Sequence, residues 1–440
     1  MIKKGGINKE IVGLETEFFI LDKEGNISNS ADKLLSLFSN NKSIAPHVRE
    51  EVGFSMFEIG SPVRSSVKDL AIDFLAILNK ITQFSEEADL FLLPLGCYPA
   101  QFVPKMRKKS WYHAQSVILG KDFNRAMKVC GFHFHYTLPK GLLEKDQKSI
   151  KRITNSQAKD LFLGMYNLSV AFEPACSTFC QSSPFLDGKF YGKDSRTLAY
   201  RDMNIPNEIQ GLYHMLPVLG GLPHYELTLE DLRDISSKRK NLYLDLMRSK
   251  GIPSNEVVVD SNLRFVWGPL RVNKLGTLEF RGFDMNTPLH LFSIALLIEE
   301  TFSGLLNENI KPIPSDIGID EPFKIENDIV YLPPFSIVKS LELLSARYGF
   351  ENSSVYSYCK AFFDFTRKLS DQKSSKKFKF IKNMLSERKT KSDELLALVK
   401  KNGYAKEHVP ADFLKYLAIH QADALKKEIL VAKDYFSSLY

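Results

Sequence analysis

Cysteine is scarce in this 440-residue chain: Cys97, Cys130, Cys176, Cys180 and Cys359 are the only five. So few thiols, scattered and odd in number, cannot form the disulfide framework of a small secreted protein, and a reducing cytoplasm is the expected compartment. Long uncharged apolar runs are missing too. The most apolar helix-length window, Leu289 to Leu306, contains His290, Glu299 and Glu300, which argues against a membrane span. Glu10 and Glu15 interrupt the N-terminus where a signal peptide needs a continuous apolar core, so export is not expected. Neither an internal repeat nor a low-complexity tract is present. An excess of one charge is also absent. Lys and Arg number 59 against 52 Asp and Glu, and a net charge of +7 names no partner by itself. The one basic stretch, Asp371-Gln-Lys-Ser-Ser-Lys-Lys-Phe-Lys-Phe, reads as a solvated loop leading into a helix rather than a nucleic-acid contact. What is present is an ordinary globular mixture, 44% hydrophobic, 12% aromatic and 25% charged, which excludes disorder for the bulk of the chain.

Up to about residue 310, short period-two runs alternate with helical stretches such as Ser65 to Leu90, the pattern of an α+β core. Strand signals vanish after about residue 336. Ile337 to Tyr348, Tyr356 to Leu369 and Phe413 to Leu439 carry apolar residues at helical spacing, separated by Lys-, Ser-, Gly- or Pro-containing breaks. The expected organisation is a catalytic unit over 1–310 and a mainly helical region over 311–440 packed on it.

Four strand-like segments share one arrangement. In Ile11-Val-Gly-Leu-Glu-Thr-Glu-Phe-Phe-Ile-Leu, alternation puts Glu15 and Glu17 on one face and Leu14, Thr16, Phe18 and Ile20 on the other. In Val52-Gly-Phe-Ser-Met-Phe-Glu-Ile-Gly-Ser-Pro, Glu58 is a lone acid in an apolar run, costly without a partner. In Cys130-Gly-Phe-His-Phe-His-Tyr, His133 and His135 share a face opposite Phe132, Phe134 and Tyr136. In Thr277-Leu-Glu-Phe-Arg-Gly-Phe-Asp, Glu279 and Arg281 face one way, Leu278 and Phe280 the other.

Each segment alone has a bland reading: a solvated edge strand for Glu-x-Glu, a structural pair for His-x-His, a same-face ion pair for Glu-x-Arg. Together on one sheet they crowd carboxylates whose repulsion and desolvation a divalent cation would offset. Oxygen-rich ligation points to Mg²⁺ or Mn²⁺, and Mg²⁺ commonly bridges to nucleotide phosphates, which Arg281 could meet as a fork of donors. Neither a P-loop nor a G-x-G-x-x-G fingerprint occurs, so bound ATP would rest on metals and arginines. H-E-x-x-H, C-x-x-C and G-x-S-x-G are absent as well. Cys176 and Cys180 read as small buried residues.

In this order, Gly13-Leu-Glu-Thr-Glu-Phe, Phe57-Glu-Ile-Gly-Ser-Pro-Val, Cys130-Gly-Phe-His-Phe-His and Thr277-Leu-Glu-Phe-Arg-Gly-Phe-Asp resemble the type 2 glutamate–cysteine ligases and related carboxylate–amine ligases. Ser182-Ser-Pro-Phe-Leu-Asp-Gly, Thr197-Leu-Ala-Tyr-Arg, Gly220-Gly-Leu-Pro and Trp267-Gly-Pro-Leu-Arg resemble that family's intervening segments. The likeness covers roughly residues 10 to 305. Tyr136-Thr-Leu-Pro and Arg271-Val depart from the family pattern and bear on substrate identity.

The resemblance implies a glutamine-synthetase-like antiparallel sheet whose concave face holds ATP and divalent metals, with helices on its back. It further implies activation of a carboxylate by phosphorylation and displacement of phosphate by an amine. Glu15, Glu17, Glu58 and Glu279 are then the expected Mg²⁺ ligands, with His133 or His135 completing the set or meeting a phosphate. Arg281 and Arg271 would neutralise the transferring phosphoryl group, and Arg201 would grip a second carboxylate of an amino-acid substrate. Glu51 would help deprotonate the amine. Two rival readings are a metal-dependent hydrolase built on His133, His135, a later histidine and Asp284, and an inactive nucleotide-binding relative. Small-molecule substrates are the expected partners, with neither nucleic acid nor membrane, in a monomer or a homo-oligomer.

Overall fold

A computed structural model describes residues 11–439 apart from 145, 147–148, 153–155, 203–209, 254, 258–259 and 371–374. The strands up to residue 284 are β1 (Val12–Leu21), β2 (Val48–Glu50), β3 (Met56–Gly60), β4 (Phe91–Leu93), β5 (Gly131–Thr137), β6 (Phe185–Leu186), β7 (Lys189–Phe190), β8 (Leu270–Asn273) and β9 (Thr277–Asp284). Apart from the β6–β7 hairpin they join one antiparallel sheet, ordered β2–β3–β1–β5–β9–β8, with β4 paired to the last residues of β1. The four segments singled out in the sequence are therefore consecutive in space, β3–β1–β5–β9.

Alternation decides which face is dry. Val12, Leu14, Thr16 and Phe18 of β1 are all within 2% of full burial, while the residues between them up to Glu17 are only partly covered. Across the strands the aromatic rings stack, Phe134 on Phe280 at 6.1 Å and Phe132 on Phe283 at 6.0 Å. Phe280 and Phe283 differ by an odd number of residues, so a regular strand would send them to opposite faces. A bulge in the β5–β9 register, where Phe132 meets Phe283 but Phe134 meets Phe280, returns both to the core. Gly282 sits in that bulge because a Cβ there would lie 2.2 Å from Glu173 Oε1 and 2.8 Å from Pro269 Cβ.

Helices Val67–Glu87, Ser156–Cys180, Pro288–Glu308, Ser353–Leu369 and Ala411–Ser437 pack together behind this face. Pro288–Glu308 is apolar and long enough, by length and composition, to cross a membrane, and 78% of its most apolar window is buried inside the fold. Its acids have partners: Glu299 Oε1 accepts from Val67 N at 2.8 Å, and Glu300 accepts from Lys377 Nζ at 2.7 Å. That is how a buried helix keeps charges that a bare apolar environment would penalise. Strands β10 (Lys311–Pro314), β11 (Ile325–Glu326) and β12 (Ile329–Leu332) form a small sheet against helix Ser156–Cys180, so the region after residue 310 begins with strands. From Phe335 onward the described residues are helical or connecting: Phe335–Tyr348, Ser353–Leu369, Lys379–Glu387, Lys391–Lys401 and Ala411–Ser437. Residues 371–374 of the basic run lie outside the described residues, and helix Lys379–Glu387 follows it as expected. All five cysteines are buried and free.

Candidate active site

Strand register builds the site. Glu17 faces Glu58, which also faces Arg49; Glu15 faces His133; His135 faces Glu279, which also faces Arg271. Opposed residues on antiparallel strands have neighbouring side chains, so one band across six strands carries four carboxylates, two imidazoles and flanking guanidiniums.

Within this band Glu15 Oε2 lies 3.5 Å from His133 Nδ1 and 3.7 Å from His135 Nε2. His133 Nε2 is 3.7 Å from Glu17 Oε1, and Glu17 Oε2 accepts from Gly131 N at 2.6 Å. His135 Nδ1 is taken by Thr277 Oγ1 at 2.9 Å, while its Nε2 is buried without a hydrogen-bond partner among the described residues. Ligand atoms of Glu15, His133 and Glu279 all fall within 4.8 Å of one another. Three converging donors and an unsatisfied imidazole nitrogen suit a divalent cation.

Glu279 has other bonds already. Arg271 donates to both its oxygens, from Nε at 2.7 Å and Nη2 at 2.8 Å; Arg281 Nη1 donates at 2.8 Å, and Asn273 Nδ2 also binds. This carboxylate is fully buried, yet its Oε1 lies only 3.9 Å from His133 Nδ1. It thus joins the arginine pair to the carboxylate band.

Electrostatics divides the acids. Burial pushes the Glu279 carboxyl up, but Arg271 and Arg281 outweigh it and hold it well below the usual range. Burial likewise acts on Glu15, and the imidazoles of His133 and His135, 3.5 and 3.7 Å away, bring it far down. Glu51 and Glu58 go the other way. Burial lifts Glu51 to about 8, with the charges of Glu17 and Glu15 adding to it, and burial with the charges of Glu15, Glu51 and Glu17 raises Glu58 well above the usual value. The Arg49 guanidinium, 3.5 Å from Glu58 and 3.6 Å from Glu15, does not offset this crowding. Too much negative charge for its own cations is what a bound metal would relieve.

Two cavities meet at Glu15. One, about 660 Å³, is lined by Ile11, Val12, Leu14, Leu138, Leu142 and Leu275 with Arg49 and His135 at the band. The other, about 390 Å³, contains Glu15, Glu17, Glu51, Glu58 and His133 on one side and Arg196, Arg201, Arg264, Arg271 and Arg281 on the other. Every expected site residue except Glu279 and His135 lines this second cavity; those two sit at its edge through their contacts with Arg281 and Glu15.

Several participants escaped the sequence reading. Trp111, Trp267, Tyr112, Tyr200 and Tyr213 wall the second cavity, with Tyr213 stacked on Trp267 at 6.0 Å and 12° and Arg264 over Trp111 at 4.1 Å. Arg196 donates to the carbonyls of Gly282 and Arg281, both at 2.9 Å, and so clamps the bulge that presents Arg281. Its position in Ser195-Arg-Thr-Leu-Ala-Tyr-Arg was a usable signal, as it was for Tyr200, and Trp267 opens the Trp267-Gly-Pro-Leu-Arg segment; Trp111, Tyr112 and Tyr213 lie outside every segment singled out. Asp284 is buried elsewhere, accepting from Ser183 Oγ at 2.6 Å and Ser182 N at 2.9 Å, and His290 Nδ1 is engaged by Thr287 Oγ1 at 2.8 Å. Neither lines the cavities.

This antiparallel sheet backed by helices is an α+β fold shared with solved glutathione synthetase and glutamate–cysteine ligase structures. A bifunctional glutathione synthetase from Pasteurella multocida superposes with a TM-score of 0.61 at 13% identity, over 96% of this chain and 53% of that one. A glutamate–cysteine ligase from Francisella tularensis, solved with AMP, superposes at 0.60 and 13% identity, over 97% and 92%. The chain belongs to glutamate–cysteine ligase family 2, whose profile matches residues 11–320. A Chromobacterium violaceum protein provisionally named glutamate–cysteine ligase 2 is 25% identical over 289 residues, 65% of this chain and 64% of that relative's length.

Proposed function

We propose that the protein is an ATP- and Mg²⁺-dependent carboxylate–amine ligase that forms an amide through an acyl phosphate. The observation that carries this reading is the carboxylate–imidazole band with arginines beside it, at the junction of an apolar cavity and a polar, arginine-rich one. The apolar cavity suits a nucleotide base, the band its phosphates, and the arginine-rich cavity an amino-acid substrate with its amine partner. Glu15, Glu17, Glu58, Glu279 and His133 or His135 would hold the metal, which when bound supplies positive charge to the phosphates. Arg281 and Arg271 would face the γ-phosphoryl oxygens, where preorganised charge gives phosphoryl transfer most of its rate. Arg201 would grip a carboxylate of the acid. Glu51, in the same cavity, would accept a proton from the amine as it attacks.

Against the hydrolase reading stands Asp284, which is bound into the core by Ser182 and Ser183 and lines neither cavity. The test is to incubate purified protein with ATP, Mg²⁺ and a matrix of acids and amines beginning with L-glutamate and L-cysteine, following phosphate release and amide mass. Release that requires both partners supports the ligase. Zinc-dependent turnover without ATP would replace it with the hydrolase, and nucleotide binding without turnover of any pair would replace it with an inactive relative.

A further inference from the structure

The family profile ends at residue 320, and helix Phe335–Tyr348 lies beyond it. Yet this helix reaches Arg201, a residue that lines the second cavity. Glu342 Oε1 accepts from Arg201 Nη1 at 3.0 Å, and both side chains are 4% exposed. Arg201 Nε donates to Gly220 O at 3.2 Å, which leaves Nη2 without a partner among the described residues, on a side chain that lines the cavity. The same helix fastens both ends of the short helix Ser195–Arg201. Asp194, its N-cap, donates its backbone N–H to Ala346 O at 2.9 Å; Asp202, its C-cap, accepts from Arg347 Nη2 at 2.6 Å and Nε at 3.1 Å. A helix of seven residues has little stability of its own, so the aim of Arg201 depends on these outside attachments.

We infer that helix Phe335–Tyr348 completes the acid-substrate side of the site, and that Glu342 is a positioning residue holding Arg201 with one guanidinium nitrogen toward the substrate. The inference rests on the ligase reading. Glu342 takes one nitrogen and Gly220 another, so the planar fork keeps a single orientation. Without the carboxylate, the guanidinium is free to rotate about its long side chain and the fork no longer meets a substrate carboxylate in plane.

The test uses the full chain with Mg·ATP, L-glutamate as the acid probe and L-cysteine as the amine, each varied separately. Glu342→Ala should raise KM for the acid about tenfold or more while KM for ATP changes less than about twofold. Glu342→Gln, which keeps an oxygen acceptor for Nη1, should restore most of the acid KM. Should the alanine variant not fold, Glu342→Asp, which keeps the charge and withdraws it by one methylene, must show the same selective rise. Arg347→Ala removes another attachment of the same short helix and should raise the acid KM in the same direction but by less than Glu342→Ala, because Arg201 keeps its Glu342 contact. Equal effects on both KM values, a tighter acid KM in the alanine variant, or a lowered melting temperature with unchanged kinetics would each overturn the role of Glu342. Wild-type protein that consumes no ATP with any acid would overturn the ligase reading, and this inference with it.

Discussion

Glu15 stands directly across the β1–β5 ladder from His133, its Oε2 3.5 Å from Nδ1. One step along the same strand, Glu17 Oε1 lies 3.7 Å from the other nitrogen of that ring. A single imidazole thus lies between two carboxylates. Its neighbours Phe132 and Phe134 lock the strand from behind by stacking on β9. The position of the charges in front is therefore set by the aromatic packing behind.

From this follows the charge test of the band. Glu15→Gln and Glu17→Gln preserve side-chain volume and strand register, so the fold should survive, while loss of a ligand charge should reduce ATP turnover by about a hundredfold or more. Circular dichroism with phosphate-release kinetics over a Mg²⁺ titration checks it. Wild-type rates at low Mg²⁺ in both variants would leave the two acids as a solvated strand face.

Arg281 tests the phosphate side. Its Nη1 is spent on Glu279 and its backbone is clamped by Arg196, so the guanidinium has one presented geometry. Lysine supplies the charge but not the planar fork. Arg281→Lys should therefore lower kcat about tenfold or more with the melting temperature little changed. An unaltered kcat would mean that Arg281 does no more than neutralise Glu279.

Much of this band was legible before any coordinates, because strand alternation places every second residue on one face and the four segments each put acids or imidazoles opposite aromatics. Helices Val67–Glu87, Phe335–Tyr348, Ser353–Leu369 and Ala411–Ser437 fall within a few residues of the apolar-periodic stretches that predict them. What periodicity could not supply was neighbourhood. That β1 lies between β3 and β5, that Glu279 is also bonded by Arg271 and Arg281, and that Arg201 meets Glu342 141 residues away are results of chain topology. The bulge at Gly282 breaks period two, and its one local signal is the lone glycine inside the strand run. The cavity's aromatic wall has the same origin, since Trp111, Tyr213 and Trp267 converge from separate segments.

If Arg201 holds the acid as proposed, it separates recognition of the acid from ATP chemistry. Alanine would then remove a charge-assisted hydrogen bond to the substrate, so Arg201→Ala should raise the acid's KM roughly ten- to a hundredfold with MgATP affinity nearly unchanged. The variant should also lose stability, because Glu342 is left buried without its partner. Equal changes in both KM values would remove Arg201 from the acid site and leave it a structural ion pair.

Behind the sheet, Glu173 offers a stability test that is independent of catalysis. It is 1% exposed; Oε1 accepts from Ser177 Oγ at 2.9 Å, and Oε2 has no partner among the described residues. Burial, reinforced by the charge of Glu342, pushes its carboxyl up to about 8. A carboxyl that titrates higher folded than unfolded binds its proton more tightly in the folded state, so stability is greatest below the unfolded value and falls as pH rises toward 8. The slope is on the order of 1.4 kcal/mol per pH unit across that window. Glutamine keeps the shape and cannot ionise. Whatever constant offset its amide introduces, Glu173→Gln should gain on the wild type steadily between about pH 5 and pH 8. Denaturant midpoints measured for both proteins at each pH unit decide the point: a gap that widens with pH identifies Glu173 as a buried neutral acid, whereas a constant gap means that its charge is compensated in the folded state by the positive charge of Arg201.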